Sequence, residues 1–163
     1  MKGFEVILEA CRRLWNDRQD FELIATADPH GRVNDSTRYV GWQSQAMLPA
    51  TMRQADIVVF PTIAEEALGR TAVEAMGAGR PVVASRIGGL QFTVMDGATG
   101  LLFEPGDVGD LCRKLSRLLD DSELRMRMGR AGRERFEEHY TWESILNRHY
   151  LPLLSEPVRT RSQ

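Results

Sequence analysis

The chain has 163 residues, 42% hydrophobic and 27% charged, a balance that fits one soluble globular domain with a sizeable core. Its formal net charge of −2 gives no electrostatic reason to expect a nucleic-acid partner. Two cysteines without metal-ligand spacing, Cys11 and Cys112, make neither a disulfide framework nor a metal site. No apolar run approaches the roughly 18 residues of a membrane span, and the N-terminus lacks a signal-peptide pattern. The expected setting is the cytoplasm.

In chain order, Phe4, Ile7, Leu8, Cys11 and Leu14 recur at helical spacing, which predicts an opening helix over 3–15. Residues 21–27 read as a strand followed by the loop Asp28-Pro29-His30-Gly31, and residues 38–42 as a shorter strand. A helix is expected over 44–54, with Pro49 marking a kink or the first turn. The continuous apolar run 55–60 predicts a strand buried on both faces. A loop over 61–68 then leads to a short helix over 69–79 that ends at a glycine. Strands follow at 81–85 and 100–103, and an amphipathic helix at 107–119 capped by Asp107. Two more helices are expected at 122–139 and 141–150, the latter capped by Thr141. The polar, proline-containing tail 155–163 is expected to be mobile beyond a single domain over 1–154.

Alternating short apolar strands and helices, with no internal repeat, predict an α/β fold: a Rossmann-like, mostly parallel sheet flanked by helices. A Rossmann-like sheet of order 3-2-1-4-5-6 begins with its central strand, whereas this chain opens on a helix. The expectation is therefore a sheet without its first, central strand, in a fragment of a longer protein.

The chemistry concentrates in "ADIVVFPTIAEEALGRTAVEAMGAGRPVVASRIGGLQFTVMDGATGLLFEPGD", residues 55–107. Gly69 opens a helix, so the backbone N–H groups of Gly69, Arg70, Thr71 and Ala72 and the helix dipole offer a cradle for a diphosphate. Taken alone, Glu74 in the first turn reads as a charge–dipole residue and Glu66 as a solvated loop acid. The ordered series around them reverses that reading. Pro61-Thr62, Glu66, Gly69, Glu74-Ala75-Met76, Gly79, residues 81–85 and Gly88-Gly89 together resemble the donor-binding, C-terminal half of the retaining glycosyltransferases of family four, which have the GT-B fold. Asp96-Gly97, residues 99–102, Pro105-Gly106-Asp107 and the late "ELRMRMGRAGRERFEEHYTW" extend the resemblance to roughly residues 2–150.

The resemblance implies that Glu74 accepts hydrogen bonds from the nucleotide ribose, for which a carboxylate's two oxygens suit a vicinal diol. It implies that Glu66 meets the donor sugar and that Lys2 meets the diphosphate, a catalytic contact because charge develops there on cleavage. The family's arginine five residues before that lysine has no counterpart here. Gly41 and Gln45, in the segment matching the base pocket, are implied nucleobase contacts. Phe92 stands where many members have an acid, and residues 25–29 stand where Gly-x-Gly is frequent.

The implied function is transfer of a hexose-like sugar from UDP- or GDP-sugar with retention, with no metal and no tightly bound cofactor. The acceptor site would belong to a missing N-terminal domain or a partner chain, so this chain alone is expected to be inactive. Two rival classes remain: a non-catalytic nucleotide-binding or scaffold module, and a GT-B-like sugar-nucleotide epimerase. Trp15, Trp42 and Trp142 are expected to pack, and His139 and His149 to be surface or packing residues. His30 reads as a loop residue, with a cleft-lining role as the lesser alternative. The arginines of "RMRMGRAGRERF" read as a solvated face, with peripheral contact to an anionic membrane as the lesser alternative.

Overall fold

The computed structural model describes residues 3–27 and 36–155. Lys2, His30 and residues 156–163 of the tail lie outside the described residues. The elements run α1 (Phe4–Asp17), β1 (Leu23–Ala25), β2 (Thr37–Tyr39), α2 (Leu48–Gln54), β3 (Val58–Phe60), α3 (Arg70–Gly77), β4 (Val82–Ser85), α4 (Leu90–Thr93), β5 (Gly100–Phe103), α5 (Val108–Asp120) and α6 (Ser122–His139). A final helical stretch comprises α7 (Trp142–Ile145), a π-helical turn (Leu146–Tyr150) and α8 (Leu151–Ser155). No helix is long and apolar enough to cross a membrane among the described residues.

Among the described residues all pairings between strands are parallel, as alternating strands and helices require. Among the described residues the strands form two sheets, β1-β2 and β3-β4-β5. Successive residues of a strand face opposite sides, and the core divides accordingly. Val83, Leu101 and Phe103 pack with Ile7, Cys11 and Leu14 of α1 and Leu111, Leu115 and Leu118 of α5. Val82, Ala84 and Leu102 pack with Ala72, Ala75 and Met76 of α3 and with Leu90. The result is a sheet with helices on both faces.

Local chemistry explains the boundaries. Asp107 Oδ1 accepts from Asp110 N–H at 2.9 Å, and Asp121 caps α6 in the same way at 2.8 Å. Thr141 Oγ1 accepts from Ser144 N–H at 3.2 Å, as expected of a capping threonine. Pro49 sits in the first turn of α2, where a missing N–H costs nothing, so the helix starts at Leu48 rather than 44. Beyond α3, Gly79 takes a φ of 73°, with Gly79 N–H on Met76 O and Arg80 N–H on Ala75 O, a Schellman stop.

Three expectations need correction. The 55–60 strand shortens to β3, and Val58, Val59 and Phe60 are half-buried, whereas β4 and β5 are buried throughout. Trp42 and Trp142 do not pack: they are 82% and 78% exposed, on the loop after β2 and at the start of α7. Trp15 does pack, edge-on against Phe21 at 5.3 Å.

The late arginines are more than a solvated face. Arg125 donates to Leu118 O and Leu119 O at the end of α5, at 2.5 and 3.0 Å. Arg133 donates to Gly77 O at the end of α3, and Arg135 to Phe92 O and Thr93 O at the end of α4. Arg80 does the same for Arg53 O near the end of α2. Each places a cation on carbonyls that a helix C-terminus leaves unpaired. The two cysteines are free thiols between α1 and α5, and burial pushes Cys11 up to about 12.

Arg125→Met keeps the stem but loses both carbonyl contacts. It should cost about 1.5 kcal/mol in urea unfolding, whereas exposed Arg130→Met should change stability by less than about 0.5 kcal/mol. Burial works against the charged form of Asp96, but Leu102 N–H and the Arg86 guanidinium outweigh it and hold its pKa below the ordinary value. A depressed folded pKa adds stability above the ordinary aspartate range, which is lost as pH falls through the folded value. The difference in Tm between the parent chain and Asp96→Asn should therefore shrink from pH 7 to about pH 3.

Candidate functional site

The residues singled out by spacing gather at the C-terminal ends of the parallel strands, where open α/β sheets hold ligands. Gly41 and Gln45 follow β2, the 61–69 loop follows β3, and Gly88-Gly89 follow β4. Gly3, at the start of α1, is buried against the Pro61 carbonyl at the same edge. Its neighbour Lys2 lies outside the described residues.

The glutamate loop is held by backbone approach. Gly89 N–H donates to Glu66 O at 2.6 Å, and Thr93 Oγ1 donates to Leu68 O at 2.6 Å. A Cβ on Gly88 would come within 2.5 Å of Glu66 O, and one on Gly89 would overlap the Ala67 carbonyl. The glycine pair therefore makes room for the glutamate loop itself. Thr62, buried at the start of that loop, both donates to Ala64 O and accepts from Ala64 N–H.

The loop delivers Gly69 in a left-handed conformation, φ 73° and ψ 54°, as the residue before α3. A Cβ there would collide with the Leu90 side chain, so the position is restricted both by φ and by space. Ala72 N–H and Val73 N–H already donate to Gly69 O, at 2.8 and 3.2 Å. Ala72 is fully buried, so of the expected cradle it contributes packing. Among the described residues, the N–H groups of Arg70 and Thr71 have no protein acceptor and lie at the positive end of the helix.

The two acids flank this opening. Glu66 is half-buried on the loop, and Glu65 beside it is exposed. Glu74, half-buried one turn into α3, pairs through Oε1 with Arg70 Nε at 3.4 Å. Arg70 is exposed, so the pair is worth under about 1 kcal/mol. Gly41 has a φ of 68° and Gln45 is exposed. The ordered amide in that loop is Gln43, which donates to Val40 O at 2.8 Å and accepts from Thr51 Oγ1 at 3.3 Å. Gln43 and Thr93 were missed. The first had a weak signal, a polar residue just after a loop glycine, and the second had none, since its partner is 25 residues away.

Two clefts of about 440 and 560 Å³ lie elsewhere, one lined by Glu137, Asn147 and Arg148, the other by Asp56, Arg125 and Arg130. The second borders the strand beginnings, and its Arg125 and Arg133 are committed to helix ends. The strand-end loops bring the unpaired N–H groups of Arg70 and Thr71 together with Glu66 and Glu74. Among the described residues, no group of three or more His, Cys, Asp or Glu is placed to hold a metal ion.

The fold is an α/β domain of parallel strands flanked by helices on both faces. Residues 29–135 match the family model described as glycosyl transferases group 1, and the chain belongs to that family. It is 38% identical over 128 residues to glycogen synthase of Mycobacterium tuberculosis, covering 78% of this chain and 30% of the relative. It is 35% identical over 144 residues to 2-deoxystreptamine glucosyltransferase of Streptomyces kanamyceticus, covering 82% and 37%. Sucrose-phosphate synthase from Thermosynechococcus elongatus superposes with a TM-score of 0.79 at 30% identity, over 94% of this chain and 42% of that one. The C-terminal domain of a group 1 glycosyl transferase, LpcC of Francisella tularensis, gives 0.76 at 23% identity, over 86% and 80%. The fold is that of a GT-B C-terminal domain, and the chain spans about a third of the length of these two curated relatives.

Gly69→Ala and Gly106→Ala separate conformation from space, since both glycines have positive φ but a Cβ at Gly106 meets nothing within 4 Å. Gly106→Ala should cost about 1 kcal/mol, and Gly69→Ala at least about 1 kcal/mol more, in chemical unfolding.

Proposed function

We propose that this chain is the donor-binding half of a retaining glycosyltransferase that uses a nucleoside-diphosphate sugar. The observation that carries the reading is the placement of Glu66 and Glu74 on either side of an α3 N-terminus whose first N–H groups are unpaired. In this reading Arg70 and Thr71 N–H groups, with the helix dipole, bind the diphosphate. Glu74 exchanges Arg70 for the ribose diol, and Glu66 accepts from the sugar hydroxyls. Lys2 neutralises charge on the departing diphosphate. Gly41 and Gln45 remain the proposed neighbours of the base, with Gln43 holding their loop. Ala72 is left out of the cradle because its N–H is taken.

The reaction breaks the bond from the anomeric carbon to the diphosphate oxygen and makes one to the acceptor oxygen on the same face. The diphosphate takes the acceptor's proton, and no metal is called for. The acceptor site belongs to polypeptide outside this chain. A hexose and a uridine nucleotide are the first donor to test: one relative is a glucosyltransferase, and a structure of the same fold, HepE of Anabaena, was solved with UDP-glucose.

Titration calorimetry of residues 1–163 with UDP tests the reading. Glu74→Ala should weaken UDP at least about ten-fold, a loss of about 1.4 kcal/mol. Glu66→Ala should weaken UDP-glucose more than UDP. A chain that binds no nucleotide would overturn the donor reading in favour of a scaffold module. Sugar transfer by the isolated chain would overturn its assignment as half of an enzyme.

A further inference from the structure

The cleft of about 560 Å³ at the strand beginnings is built from two stretches of chain. One is the turn from α3 into β4, Gly79-Arg80-Pro81, joined by Asp56 ahead of β3. The other is α6, where Ser122, Arg125, Gly129, Arg130 and Arg133 recur at helical spacing and so share a face. The two walls meet backbone to backbone, since a Cβ on Gly129 would come within 2.3 Å of Gly79 O. Arg125 and Arg133 stand one turn to either side of that contact and flank it.

Four guanidinium groups thus line one recess, and among the described residues Asp56 is the single acid in its wall. Of the four, only Arg133 makes an ion pair with a described residue, through Nε to Glu137 Oε1 at 2.6 Å. Three are held by helix-end carbonyls: Arg80 on Arg53 O, Arg125 on Leu118 O and Leu119 O, and Arg133 on Gly77 O. Each of those contacts uses one terminal nitrogen. Among the described residues, Arg125 Nε and Nη2 and Arg80 Nη1 have no acceptor, and Arg80 Nε–H is buried without one. Carbonyls orient a guanidinium but leave its charge uncompensated. A half-buried cation such as Arg80, with neither counter-ion nor a full set of acceptors, is uncommon, because burial disfavours charge that nothing balances.

We propose that this cleft binds a phosphate monoester, at a site separate from the strand-end loops. A dianionic phosphate supplies the missing counter-charge, and its oxygens match the forked donors of converging arginines. Arg80 and Arg125, already tethered, meet it from the two walls, so little ordering is left for binding to bring about. Arg130, exposed and without a tether, adds a further cation, and the Ser122 hydroxyl adds a donor. The concave, basic setting raises the local concentration of anions. The cleft lies at the far end of α3 from Gly69, so the proposal does not rest on the donor reading. A soluble ester and a lipid headgroup can carry the same phosphate, and the experiment separates them.

Backbone amide shifts of residues 1–163 are followed by NMR as glycerol phosphate replaces chloride at constant ionic strength, without nucleotide. Shifts at Arg80, Gly129 and Arg130 should saturate with a Kd of about 1 mM or tighter, and titrate separately from any at Arg70 and Thr71. Arg130→Met should weaken binding at least about five-fold, whereas Arg127→Met, on α6 but outside the cleft, should change it by less than about two-fold. Asp56→Asn removes the one opposing charge and should tighten binding about two-fold or more. Absence of saturable shifts at those three amides overturns the site. Equal weakening by Arg130→Met and Arg127→Met also overturns it, since diffuse surface charge then accounts for binding, as does indifference to both Arg130→Met and Asp56→Asn. Flotation with phosphatidic acid in phosphatidylcholine vesicles names the carrier. Vesicle binding at least about ten-fold tighter than glycerol phosphate, and lost in Arg130→Met, supports the site with a lipid headgroup in it. Vesicle binding no tighter than glycerol phosphate supports the site with a soluble ester in it.

Discussion

Gly89 N–H reaches Glu66 O at 2.6 Å, and neither Gly88 nor Gly89 leaves room for a side chain between the two backbones. That contact sets where the chain after β3 runs and therefore where Gly69 opens α3. The Thr93 hydroxyl on Leu68 O and the Leu90 side chain against Gly69 complete the clamp. Site residues from the ends of β3 and β4 hold one another in place, although they are some 20 residues apart in sequence. Orienting donors before a ligand arrives lowers what binding must spend on ordering them.

The same economy appears at the helix ends. Short helices such as α3 and α4 expose a large share of unpaired carbonyls for their length. Guanidinium groups from α6 reach α3, α4 and α5, so one helix secures the ends of three others. Arginine suits this role, since its planar fork can serve two adjacent carbonyls at once. The run that looked most like a simple charged surface is thus a connector between layers, and α6 stands both on the α5 core and beside α3.

Much of the fold was legible. Apolar periodicity located α1 and α5, and the capping residues Asp107 and Thr141 marked the starts of α5 and α7, because these signals are local. The alternation of strands and helices was also legible, and the described strands pair in parallel as that alternation requires. Strand burial was less so: "ADIVVF" reads as a fully buried strand, yet its exposure depends on what lies beside it. Trp42 and Trp142 show the same limit, since hydrophobicity alone does not say which face of a loop or helix meets the core.

At the site, the ordered series of prolines, glycines and glutamates was enough to mark the family and the residues from 61 to 89, because a glycine-opened helix and flanking acids are written within one short segment. Tertiary structure decided the rest. It showed that Gly88-Gly89 admit the glutamate loop, that Ala72 N–H is already engaged, and that Glu74 rests on Arg70. The sequence by itself determined the local grammar of strands, caps and the helix that opens at Gly69, since those preferences act over a few residues. Which groups meet across 20 residues or more was decided only by packing, because backbone approach and hydrogen-bond partnership depend on distances that no local pattern encodes.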